Sequence, residues 1–136
     1  MKNILIFLII ILTTGICWSD VLIVSNKTVG DTIMNRDDIK EIFLGKRVQW
    51  RDNSKIHIVT LQNPGLHNAF LKEFIKKSPK QYKNYWKKMV YTGKGKTPRK
   101  FGSVHDLLEY VAKTKGAIGY INKEVTAVNV NTVTVQ

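Results

Sequence analysis

Hydrophobic positions along the chain fall into short blocks of two periods. Val21–Ser25 (VLIVS) is continuous and β-branched, the pattern of a buried strand. Asn26–Met34 has no periodicity and reads as an irregular connection. At Asn35 the period becomes helical. Asp38 follows three residues on, Asp37 and Asp38 suit the positive end of a helix dipole, and Ile39, Ile42 and Phe43 share one face. Gly45 stands where such a helix closes. After a polar turn at 51–55, Ile56, Ile58 and Thr60 alternate with His57, Val59 and Leu61 as a second, largely buried strand.

The second half reads as mostly helical. A turn at 63–65 precedes Leu66, Phe70 and Phe74, stacked at i, i+4, i+8. Ser78-Pro79 restarts a helix with Ser as N-cap and Pro at its first position, and Tyr82, Tyr85, Trp86 and Met89 form its aromatic face. Residues 92–102 read as a Gly- and Lys-rich loop. Ser103 with Asp106 caps a last helix whose Val104, Leu107, Leu108 and Val111 line one face, and Gly116 ends it. Ala117–Ile121 and Ala127–Val135 read as strands. The order β-α-β-α-α-α-β-β predicts one α/β domain, with a mixed sheet and helices on both faces.

Residues 1–19 stand outside this pattern. Lys2 precedes an apolar run, and Thr13, Thr14, Gly15 and Ser19 follow it. This is the layout of a secretory signal peptide cleaved after Ser19, leaving a domain at 20–136. The run from Ile4 to Ile16 falls short of the roughly 20 residues of a spanning helix, so membrane contact is expected only through the uncleaved leader. The one cysteine, Cys17, leaves with it. A domain without disulfides suits a periplasm better than a disulfide-stapled secreted scaffold.

Composition sharpens the picture in one respect. The chain of 136 residues carries 22 Lys+Arg against 10 Asp+Glu, a net charge of +12. Eleven of those cations lie between Lys72 and Lys100, beside a single acid, Glu73. Tyr82, Tyr85, Trp86 and Tyr91 are interleaved with them. The run reads either as a solvated basic helix face or as a surface for an acidic partner or polymer. Export argues against nucleic acid. Gly95-Lys96-Thr97 is no phosphate loop, because position 90 is Val90 and Pro98 follows the threonine. The three histidines are scattered, and no nucleophile, carboxylate-pair or metal-ligand motif is present, so no enzyme, cofactor or metal is expected.

Two segments are distinctive together: IKEIFLGKRVQW at 39–50 and KGAIGYI at 115–121. With Tyr85-Trp86 and the GKGKTP loop at 93–98 between them, they resemble segments of the phosphate-type periplasmic solute-binding proteins, over about residues 36–121. The resemblance implies a type-2 periplasmic-binding fold of about one lobe, non-catalytic binding of a small anion, phosphate first, and a role accessory to transport or sensing. Receptors of that family close two lobes around a ligand, so pairing of two chains into a homodimer is one way to complete a cleft here.

The family's Ser-Gly-Thr anion element is replaced by Asn63-Pro64-Gly65-Leu66-His67-Asn68, so its site does not carry over whole. Helix N-termini favour anions, which makes Gly65, His67 and Asn68 the candidate ligand-binding residues. Ser25 and Asn26, at the end of the first strand, are expected to face them, because open α/β sheets bind ligands beyond strand carboxyl ends. The competing reading makes Ser25, Asn26 and Asn68 loop caps and His67 a surface residue. The alternative function is an interaction module that has lost the small ligand and uses the basic 72–100 face.

Overall fold

The structure is a computed structural model and describes residues 20–136; the expected signal peptide lies outside the described residues. The chain forms β1 (Val21–Ser25), β2 (Ile33–Met34), α1 (Arg36–Phe43), β3 (His57–Leu61), α2 (Pro64–Phe70), α3 (Pro79–Tyr91), β4 (Arg99–Phe101), α4 (Val104–Lys113), β5 (Ala117–Asn122) and β6 (Asn131–Val135). A π-helical turn at Leu71–Ile75 continues α2 and ends at Lys76 in the left-handed region.

The six strands form one sheet in the order β2-β6-β1-β5-β3-β4. β1 runs antiparallel to both neighbours, β5 and β6, while β3 is parallel to β5 and to β4. The expected mixed sheet is therefore present. Two short strands were not legible as such: β2 lies in the aperiodic stretch after β1, and β4 in the stretch read as loop. Two or three residues give no period to read, and each strand exists because a longer neighbour offers its edge.

The layers follow from alternation along β5. Tyr120 faces α1 and α2: its ring stacks on Phe70 at 4.0 Å and lies 6.2 Å from Phe43. Gly119 faces the other way, where a Cβ would meet Val59 and Leu107 of α4. Helices thus cover both faces. The core between them includes Ile39, Ile42, Phe43, Phe70, Ile75, Leu107, Val111, Ile118 and Ile121, all fully buried.

Helix α1 starts with a reciprocal capping box between Asn35 and Asp38 and stops at Gly45, whose φ of 70° is favourable only for glycine. A Cβ there would also lie 2.7 Å from the Trp86 ring. The last carbonyls of a helix lack intrahelical partners; here Tyr82 Oη donates to Phe43 O at 2.8 Å and Tyr85 Oη to Leu44 O at 2.6 Å. α3 is thereby pinned against the end of α1 by its tyrosines. Trp50 Nε1 donates to Gly116 O at 3.0 Å, and the Gly116 backbone passes so close to Lys55 O that a Cβ would fall 2.1 Å from it.

Candidate functional site

The carboxyl end of β3 opens into a cleft of about 440 Å³. Its floor is Thr60, Leu61 and Gln62 of β3 and its exit, with Lys100 of β4. One wall is α3, through Pro79, Tyr82, Lys83, Trp86 and Lys87; His67 of α2 and Thr97-Pro98 close the remaining sides. Lys83 and Lys87 stand one helical turn apart on α3, and Lys100 raises the positive potential felt by His67. Among the described residues no carboxylate lines the cleft. Its size falls within the usual range for small-molecule sites, and its cations and amide suit an anion.

Of the five residues expected to bind a ligand, His67 lines this cleft. It is half-buried, and its Nδ1 meets Tyr120 Oη, which also accepts the Leu61 amide at 3.0 Å. Burial, and then the charge of Lys100, hold the His67 pKa below the ordinary value, so the imidazole is neutral at pH 7.

Gly65 and Asn68 lie on the same helix but outside the cleft. The helix N-terminus offers an anion little: Pro64 has no N–H, the Leu66 amide is taken by Asn63 Oδ1 at 3.3 Å, and the His67 amide by Asn63 O at 2.9 Å. The Gly65 amide is what remains, since Asn63 caps the helix itself. Asn68 turns away from His67, into a shallow recess with Lys72, Lys76 and Lys77.

Ser25 and Asn26 do not face these residues. Because β1 is antiparallel, its carboxyl end lies beside the amino ends of β5 and β3, with Ser25 opposite Ile118 and Ile58 also opposite Ile118. The cleft is at the other end of β3. Asn26 is buried and structural: its Nδ2 donates to Val111 O at 2.7 Å and Ala112 O at 3.1 Å, and its Oδ1 accepts from Thr28 N and Oγ1. Ser25 Oγ is buried with no hydrogen-bond partner among the described residues.

The residues that sequence reasoning missed are Gln62, Lys83, Lys87, Thr97 and Lys100. Lys83, Lys87 and Lys100 belong to the basic run, and a spacing of four between Lys83 and Lys87 marks one helix face. What could not be read is that this face turns toward the end of β3.

No protein-family model matches the chain, and no curated protein matches it. Solved structures do. PstS from Borrelia burgdorferi superposes with a TM-score of 0.67 at 14% identity, over 86% of this chain and 47% of its own. A Clostridium perfringens substrate-binding protein, assigned to a phosphate ABC transporter and solved with bound phosphate, gives 0.67 at 18% identity, over 85% and 44%. An ABC-type phosphate transport receptor from Vibrio cholerae gives 0.58 at 16% identity, over 85% and 46%. The chain spans just under half the length of each. It therefore has the fold of the phosphate substrate-binding proteins, at the size of a single lobe.

Proposed function

We propose that this protein binds phosphate or a similar small oxyanion, without turning it over, in the cleft at the carboxyl end of β3. One observation carries the reading: Lys83, Lys87, Lys100 and His67 all line a cleft that, among the described residues, no carboxylate lines. Phosphate binding by proteins of the same fold supports it. His67 and Gln62 supply directional donors, and the lysines supply charge. With a cleaved leader at 1–19, the protein would act in the periplasm, accessory to a transporter or a sensor. Among the described residues no helix is long and apolar enough to cross a membrane.

The test is thermal unfolding with phosphate or with chloride at matched ionic strength. A ligand at about 100 times its Kd stabilises the native state by roughly 2.7 kcal/mol, which for a domain near this size raises Tm by many degrees. A saturable rise with phosphate that is lost in Lys100→Gln is expected. No rise, or an equal rise in that variant, contradicts the assignment.

A second reading rests on the end of α3, where Tyr91 is 92% exposed and Val90 is half-exposed beside Lys87 and Lys88. An exposed tyrosine among lysines suits an acidic partner surface. Binding to such a partner should weaken as salt rises and should survive Lys100→Gln.

A further inference from the structure

A hydrogen-bond chain runs from the sheet to the cleft. The Leu61 N–H donates to Tyr120 Oη, and Tyr120 Oη meets His67 Nδ1. Tyr120 is fully buried, so its hydroxyl proton has no water to reach. Among the described residues the acceptor for that proton is His67 Nδ1. Burial also keeps the phenol protonated by pushing its pKa far up. A neutral imidazole that accepts at Nδ1 carries its own proton on Nε2. With Nδ1 facing the buried tyrosine, the Nε2 edge is left to the cleft, where no hydrogen-bond partner for it is found among the described residues.

We infer that Tyr120 is a positioning residue: it fixes His67 as the Nε2–H tautomer, so that the imidazole meets an anion as a neutral hydrogen-bond donor rather than as a cation. This rests on the anion reading of the cleft, but the tautomer can be established without a ligand. The groups facing His67 are Tyr82, Lys83 and Lys87 from α3, Lys100 from β4 and Tyr120 from β5. None is a carboxylate, so nothing among the described residues of the cleft favours the imidazolium. Charge then comes from the lysines, while the histidine supplies direction. The ring is held in place by its edge-to-edge hydrogen bond to Tyr120, with 22° between the ring planes, and by tilted contact with Tyr82 at 6.0 Å.

The experiment is ring ¹⁵N NMR of the histidines in the full chain at pH 7, first free and then during titration with inorganic phosphate. The expected free state shows His67 unprotonated at Nδ1 and protonated at Nε2, in roughly tenfold excess over the other tautomer. An Nδ1–H tautomer, or an imidazolium, would overturn the inference. In Tyr120→Phe the excess of the Nε2–H tautomer should fall to the smaller preference of a histidine without that partner; an unchanged ratio would remove Tyr120 from the role. That variant strands the buried Leu61 amide and can fail to fold. The wild-type spectrum stands without it, as does a hydroxyl proton of Tyr120 coupled to His67 Nδ1, which is expected to be protected from exchange. Phosphate should then shift the Nε2–H signal saturably with Nδ1 still unprotonated. The Nε2–H tautomer with no response to phosphate would overturn the anion reading and leave the tautomer assignment intact.

Discussion

Asn26 and Ser25 sit side by side and do opposite things for stability. Asn26 bridges β1 to the last turn of α4, supplying the carbonyls of Val111 and Ala112 with the donors that a helix end lacks. Asn26→Ala should cost about 2 kcal/mol or more in urea unfolding, because those buried carbonyls lose their partners. Ser25→Ala removes a buried hydroxyl that has no partner and should be neutral or slightly stabilising by the same measurement. Neither change should alter phosphate affinity. Their residue types were readable as site candidates, but the direction of β1 was not. A strand's own pattern does not say which way its neighbours run, and one reversal carries its carboxyl end to the far side of the sheet. His67, by contrast, was legible as a candidate, and its partner Tyr120 was not, since 53 residues separate them. Burial lowers the pKa of His67, and of His57 in part through Lys55, below the ordinary 6.5. The unfolded chain therefore takes up more protons than the native state as the pH falls below that value. The contribution of these histidines is full above about pH 6.5 and is lost as the pH drops below it. Unfolding midpoints should fall between pH 7 and pH 5, with a shallower slope in His67→Gln.

At the scale of elements, capping residues were the most readable signals. Asn35, Ser78 and Ser103 each accept from the third residue of the helix they start, as their sequence spacing implies. Most of the segments that carry the family resemblance prove to be packing devices. Gly45 meets Trp86, Trp50 binds the Gly116 carbonyl, and Phe43 lies against Tyr120, so IFLGK, W, YW and KGAIGY form one connected set. This explains how the fold can be legible while the site is not: those residues hold the lobe together and do not line the cleft, except for Trp86, while the GKGKTP loop reaches it through Thr97 and Pro98. Gly45→Ala combines a left-handed φ with a clash on the Trp86 ring and should destabilise by about 2–4 kcal/mol in the same unfolding assay. On α3 the buried Tyr82 and Trp86 alternate with exposed Lys83 and Lys87. Replacing both lysines with Gln should leave stability nearly unchanged, weaken anion binding and flatten its dependence on salt, as affinity measurements at several ionic strengths would show.

For the whole molecule, the sheet sets where chemistry can occur. The parallel strands β3, β4 and β5 end on one side, and α2 and α3 leave a gap there that the basic run borders. A net charge of +12 raises anion concentration around the protein, but a defined site requires donors in fixed places. In the proposed site His67, held by Tyr120, is such a donor, with Gln62 and Lys100 beside it. The central claim is that binding is local to these residues rather than a property of the charge. Isothermal titration of phosphate into the wild-type protein and into His67→Ala, at one fixed ionic strength, tests it most directly. The account predicts saturable binding at one site in the wild type and at least about tenfold weaker binding in the variant, the loss of one directional donor among charged partners. Heat that does not saturate, or equal affinity in the two proteins, would contradict it.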